Sequence, residues 1–329
     1  MRLKNRPRTA LLWLCSATLL AQPTSTIRVP VRLVSVSTLV LASDGRTLPN
    51  LQPADFRLFD SGQPQTFTLD TAVSPVSVVI AVQANQDIRS YLPFIARTGS
   101  ALDALLAGES GESAAIFYGD DVSVAKPFGS GELSTALRAL APKGSRARAI
   151  DAGLRAIDLL RQRPPSRSRV LLFIGQPADH GSESHADDLR REAERENVTI
   201  HALALPEIGA AFVSDTFSLR GLSSQRDRGG FRADVNLTRL IPVLNRAAAA
   251  VQKSDPFSLL TAATGGTQFH FRTQSQLEDA IAIVGIEVRA AYTLSFVPRG
   301  EPGYHAIRVE STIPGARIHA RPGYWLSPN

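Results

Sequence analysis

The sequence predicts an α/β protein: a doubly wound, mostly parallel sheet flanked by helices, with a β-sandwich-like module built from the N- and C-terminal strands. Three observations predict it. Runs that are apolar throughout, such as Val78-Val79-Ile80-Ala81-Val82 and the stretch 170–174, mark strands covered on both faces. Stripes of helical period alternate with such runs from 77 to 203, the pattern of parallel strands joined by crossover helices. Both ends instead carry short strand-like segments separated by Gly, Pro and Asp-Gly turns.

Residues 28–41 alternate partly, with Val29, Val31 and Leu33 in one phase and Val34 and Val36 in the other, as a long bulged strand does. Asp44-Gly45 is a turn signal, and Phe56-Arg57-Leu58-Phe59 reads as a strand running into Asp60-Ser61-Gly62. After the strand at 78–82, Ile88, Leu92, Ile95, Leu102 and Leu105 share one face of a helix. Strands follow at 114–118 and 122–124, a helix at 133–140, and a stripe of Ile150, Leu154, Ile157 and Leu160. The run 170–174 is a strand, 187–196 a charged helix and 198–203 another strand. Gly, Ser and Arg then dominate to about Gly230, followed by an alanine-rich helical stretch at 237–251, which reads as an insertion. A strand at 267–271 and a helix carrying Leu277, Ile281, Val284 and Val288 restore the alternation. Strands at 292–297, 306–310 and 317–319 close the chain.

Four cations, Arg2, Lys4, Arg6 and Arg8, precede an uncharged apolar run at 10–21, the order of a secretory leader with cleavage near Ala21. The run is shorter than the roughly 20 residues that span a bilayer. Bulky Leu14 before Cys15 argues against a lipid-modified leader. Without the leader the chain holds no cysteine, and 32 basic residues face 30 acidic ones, so the net charge of +6 falls to +2. Arg161, Arg163, Arg167 and Arg169 cluster, but Pro164, Pro165 and Ser166 interrupt them, which reads as a solvated loop rather than a nucleic-acid face. The expected organisation is a signal peptide at 1–21, a β-rich segment at 22–72, an α/β domain at 73–290 with an insertion at 207–256, and a β-rich segment at 291–329 that packs with the N-terminal one.

Several segments, in order, carry a family resemblance: Leu51-Gln52-Pro53-Ala54-Asp55-Phe56, Asp60-Ser61-Gly62, Ser77-Val78-Val79-Ile80 and Ile150-Asp151-Ala152. Ala263-Thr264-Gly265-Gly266-Thr267, Tyr292-Thr293-Leu294-Ser295-Phe296 and Arg321-Pro322-Gly323-Tyr324-Trp325 extend it. The chain resembles the acidobacterial VWFA-related proteins, exported proteins whose core is similar to the von Willebrand factor A domain. That resemblance implies a Mg²⁺-type ion at the carboxyl ends of the strands, held by an Asp-x-Ser-x-Ser loop, a later Thr and a later Asp, with a free position for a partner's carboxylate. This chain departs from the pattern at nearly every ligand. Gln83 stands at the first Asp, Asn85 and Asp87 replace the serines, Ala147 takes the threonine position with Ser145 nearby, and the last Asp falls on Gln176, or on Gly175 if the register slips by one. Amide oxygens bring no charge, so such a site should hold Mg²⁺ poorly.

Asp179, His180, Glu183, His185, Asp187 and Asp188 are good metal-ligand types, but Ser184 with Asp187 reads as a capping box opening an acidic helix start. Asp120-Asp121 reads as a hairpin turn, His201 as a satisfied buried histidine, and Thr264-Gly265-Gly266 as a turn without the lysine of a phosphate loop. Neither a Gly-x-Ser-x-Gly elbow nor a His-Glu-x-x-His helix is present.

The expectation is therefore an exported, periplasmic or secreted, non-enzymatic protein that binds or scaffolds another envelope or extracellular protein, without nucleic acid, stable membrane insertion or cofactor. Its binding surface is expected at Gln83, Asn85, Asp87, Ser145, Ala147, Gln176 and Asp179, with 177–182 as rim. Three alternatives stand: adhesion dependent on Mg²⁺ or Ca²⁺ held by Asn85, Asp87 and Asp179, an envelope hydrolase using Asp120, Asp121 or Asp179, and a purely structural role in which the β-rich ends make the contacts.

Overall fold

A computed structural model describes residues 33–70, 75–108, 110–205, 255–290 and 292–326. The expected leader and nearly all of the expected insertion lie outside these residues.

The central sheet has six strands. β5 (Val76–Gln83), β6 (Glu112–Tyr118), β8 (Ser168–Gly175), β9 (Val198–Ala204) and β10 (Gln268–His270) are parallel, and β7 (Val122–Lys126) is an antiparallel edge. The spatial order is β10-β9-β8-β5-β6-β7. Every residue of β5 is buried, because helices cover both faces of the sheet. On one face, α4 (Ala149–Arg161), α5 (Ala186–Arg195) and α6 (Pro256–Thr264) pack their apolar stripes on Val79, Ala81, Leu171 and Phe173. On the other, α3 (Leu133–Arg138) and α7 (Gln274–Ala290) join Ile88, Leu102 and Leu106 over Val78, Ile80, Val82 and Leu172.

The terminal strands form two further four-stranded antiparallel sheets. β1 (Val34–Leu41) lies between β11 (Tyr292–Phe296) and β13 (Arg317–Ala320), and β4 (Thr68–Asp70) extends the sheet beyond β11. β2 (Phe56–Asp60) lies between β3 (Gln63–Gln65) and β12 (Gly303–Ser311), which also pairs with β14 (Gly323–Leu326). Val36 and Leu294 from one sheet meet Leu58, Ile307 and Tyr324 from the other in one apolar core. The fold class read from the sequence, including the β-sandwich-like module made by strands from both ends, is the observed one.

Local readings needed four corrections. The stripe from Ile88 to Leu105 is not one helix: it breaks into short turns, α1 (Leu92–Ile95) and α2 (Gly99–Leu102) among them, and ends in a wide turn at Asp103–Ala107. Helix α6 was not foreseen, nor were strands β3, β4 and β14, whose three or four residues carry too little periodicity to reveal an edge strand. Helix α5 is preceded by His185 rather than Ser184; the His185 N–H donates to Asp188 Oδ2, while the Ser184 N–H is taken by Asp151 Oδ1. The arginine cluster is ion-paired rather than freely solvated: Arg163 and Arg167 meet Glu112, and Arg161 and Arg169 meet Glu196.

Candidate functional site

Strand order reverses beside β5: β6 follows it on one side and β8 lies on the other. A doubly wound sheet opens a crevice at the carboxyl ends of such neighbours, because the chains leaving them diverge to opposite faces. Gln83 ends β5, and Gln176 directly follows β8.

The loop leaving β5 is joined to the loop entering α4 by backbone bonds, Lys143 N–H to Ala84 C=O at 2.9 Å and Gln86 N–H to Gly144 C=O at 3.0 Å. Gly144 adopts φ +71° under the Asp120 carboxylate, so a side chain there would be strained and would collide with it. Asp120 Oδ1 accepts the N–H groups of Ser145 and Arg146 at 3.2 and 2.9 Å, and these bonds, that to Arg146 first, hold its carboxyl below the usual range. The Asp120-Asp121 turn thus does more than close the hairpin: it clamps the third loop of the crevice. Sequence reading missed this, because the partners are backbone groups about 25 residues away.

The floor is a chain of side-chain amides. Gln83 Oε1 accepts the Gln176 backbone N–H at 2.7 Å, and Gln83 Nε2 donates to Asn85 Oδ1 at 2.9 Å and Gln176 Oε1 at 3.1 Å. Asn85 Nδ2 donates in turn to Asp87 Oδ2 at 2.8 Å and to the Ser145 carbonyl at 3.4 Å. Gln83 and Asn85 are fully buried, whereas Asp87 and Ser145 are exposed. Gly175 makes room for this network, because a Cβ there would lie 2.5 Å from the Tyr118 hydroxyl and 2.7 Å from Gln83 Oε1. The Tyr118 hydroxyl is buried without a hydrogen-bond partner among the described residues, and burial, aided by the charge of Asp179, raises its pKa.

Five of the seven expected residues, Gln83, Asn85, Asp87, Ser145 and Gln176, are therefore linked directly. Ala147 is buried and contributes only backbone, its N–H and C=O exchanging bonds with His180. Asp179 is turned to the start of α4: its Oδ1 accepts from Ile150 N–H at 2.9 Å and from Ser182 Oγ at 2.6 Å. Asp151, which sequence reading passed over, draws the rim to the same helix start. Burial opposes its charge, but the N–H groups of Glu183 and Ser184 and the Arg148 guanidinium hold its pKa below the usual range.

An ion held by oxygen ligands does not fit this arrangement. Two NH₂ groups occupy the floor, the threonine position is an alanine, and the Asp179 oxygens serve α4. Among the described residues, no three His, Cys, Asp or Glu side chains converge as a metal site. The Asn85, Asp87 and Asp179 set of the ion-dependent alternative does not assemble as ligands. Asp120 Oδ1 and Asp179 Oδ1 each accept backbone N–H groups.

No family model matches the sequence, and no curated protein matches it. Among solved structures, the chain is similar to the conserved hypothetical protein BatB from Bacteroides thetaiotaomicron at 16% identity, covering 65% of this chain and 98% of that one, with a TM-score of 0.42. It is similar to an aerotolerance-related membrane protein from Bacteroides fragilis NCTC 9343 at 20% identity, covering 64% and 98%, with a TM-score of 0.38. A von Willebrand factor type A structure from Catenulispora acidiphila shares 9% identity over 91% of this chain and 74% of that one, with a TM-score of 0.44. Overlaps of this size add no weight of their own, and the fold rests on the strand order and pairing described above.

Proposed function

We propose that this chain is an exported protein of the VWFA-related type that binds or scaffolds another envelope or extracellular protein through its switch-point crevice, without catalysis and with a degenerate ion site. One observation supports the reading above others. The three loops at the carboxyl end of the sheet are joined into a single buried floor, Gln83 to Gln176 and Asn85 to Ser145, beneath an exposed Asp87. A rigid floor below an exposed polar rim is a preorganised surface, which lowers the cost of ordering on association. No helix among the described residues is long and apolar enough to cross a membrane.

Asp87→Arg reverses the exposed charge at the rim and leaves the backbone of the floor intact. The partner is first identified by cross-linking and mass spectrometry in the native host, then purified and titrated calorimetrically against both forms. The reading expects at least about a tenfold weaker Kd for Asp87→Arg, equivalent to about 1.4 kcal/mol, with both forms folded at the temperature of the titration. Equal affinities would remove the crevice from the binding surface.

A further inference from the structure

We infer that the Gln83 carboxamide does inside this crevice what a bound cation does in a charged one: it gathers oxygens from separate loops and makes the floor independent of divalent ions. The inference concerns the crevice of the proposed function but needs no partner, so it stands or falls separately from the binding reading.

The orientation of the amides carries the argument. A backbone N–H can only donate, so the bond from Gln176 N–H fixes Gln83 Oε1 on that side and turns Nε2 toward Asn85 and Gln176 Oε1. Asn85 must then present Oδ1 to Gln83 and Nδ2 to Asp87 and Ser145, and both of those partners, a carboxylate and a carbonyl, accept. A donor-only group at one end and acceptor-only groups at the other leave one consistent direction for the whole chain. The positive ends of two amide dipoles thus lie among the oxygens of Asn85, Gln176, Asp87 and Ser145. These are the oxygens an ion would have to recruit, and each already accepts an N–H.

Burial points the same way. Gln83 and Asn85 are 0% exposed. A neutral amide with its bonds made is buried at small cost, whereas a lone charge in the same place is not. An entering ion has to break the bonds that Gln83 and Asn85 donate and meets the NH₂ of each. The Asp87 carboxylate accepts the Asn85 NH₂ at the exposed end of this floor.

Gln83→Glu, an exchange of NH₂ for O at nearly constant volume, tests this. The variant places a carboxylate against Asn85 Oδ1 and Gln176 Oε1, which removes both donated bonds and adds a second carboxylate to Asp87, a set of oxygens suited to Ca²⁺ once the Asn85 NH₂ turns aside. Melting is followed with excess chelator and with millimolar Ca²⁺. The parent protein is expected to melt at the same temperature in both. The variant is expected to melt lower in chelator and to recover by roughly 4 °C or more with Ca²⁺, and to lose that recovery when Asp87→Asn is added. If Gln83→Glu does not fold, calorimetric titration of the chelator-treated parent with Mg²⁺, Mn²⁺ and Ca²⁺ decides the matter. Absence of binding supports the inference, and sub-millimolar binding overturns it. A Gln83→Glu protein that melts like the parent in chelator and ignores Ca²⁺ overturns it as well.

Discussion

Two buried polar networks in this molecule solve the same problem with different chemistry. In the crevice, Gln83, Asn85 and Gln176 bridge loops through neutral amides. In the β-sandwich, Asp60 on β2, His305 on β12 and Tyr324 on β14 do it with charge. His305 Nδ1 lies 3.0 Å from Asp60 Oδ1 and its Nε2 lies 2.9 Å from the Glu301 carbonyl, while the Tyr324 hydroxyl donates to Asp60 Oδ2 at 2.9 Å. Both ring nitrogens face acceptors, a setting that favours the doubly protonated imidazolium. Burial opposes that charge, but the Glu301 carbonyl and Asp60 raise the His305 pKa above its ordinary value. The amide network titrates nowhere and depends on orientation. The sandwich network depends on pH and on the survival of both partners.

The comparison breaks most visibly at Asp60. Asp60→Ala leaves the imidazolium of His305 without its counter-charge and is expected to cost about 3 kcal/mol in denaturant unfolding near pH 6. Because a raised histidine pKa contributes stability that is present below about 6.5 and lost as pH rises through the folded value, the gap between parent and variant should narrow in alkaline buffer. A gap independent of pH would mean that His305 is neutral.

A third cluster lies between the two kinds. His201 Nδ1 accepts the Thr267 N–H at 3.1 Å, so its lone pair is spoken for and the ring is neutral. Glu287 Oε2 accepts from Thr267 Oγ1 at 2.9 Å and lies 3.5 Å from that same Nδ1. Burial raises the Glu287 pKa to about 7 and lowers that of His201 to about 4. Glu287 is therefore protonated well above the ordinary carboxylate range. An acid with a raised folded pKa contributes stability below its unfolded value and loses it as pH rises through the folded one. Relative to Glu287→Gln, the parent should lose stability between pH 4.5 and about 7, by about 3 kcal/mol at most, and then stay level. Parallel stability curves for the two proteins would show that the carboxyl titrates normally.

The smallest expected effect sharpens the crevice side. Gly175→Ala introduces a methyl group against the Tyr118 hydroxyl and Gln83 Oε1. Displacing the Gln83 amide by this overpacking is expected to cost roughly 1–2 kcal/mol in chemical unfolding. Stability equal to that of the parent would show that the floor has slack, and so is not the tightly oriented network described.

The sequence by itself determined the two-sided burial of β5 and β8, whose uninterrupted apolar runs suit only strands covered by helices on both faces. It also determined the β-rich character of both ends and the amides at both charged positions of the ion-binding pattern, Gln83 and Gln176, with Asp87 added where the pattern has a serine. Those properties are local and show in composition and period. What only the tertiary structure decided was who meets whom. Asp179 looks like a ligand among acids and histidines, yet it serves the N–H of Ile150. Asp120 looks like a turn residue, yet it clamps Ser145 and Arg146. Edge strands of three or four residues, and the direction of an amide, leave no periodic trace. The first depends on a neighbouring strand, and the second is set by a single backbone N–H on Gln176, far from Gln83 in sequence and 2.7 Å from it in space.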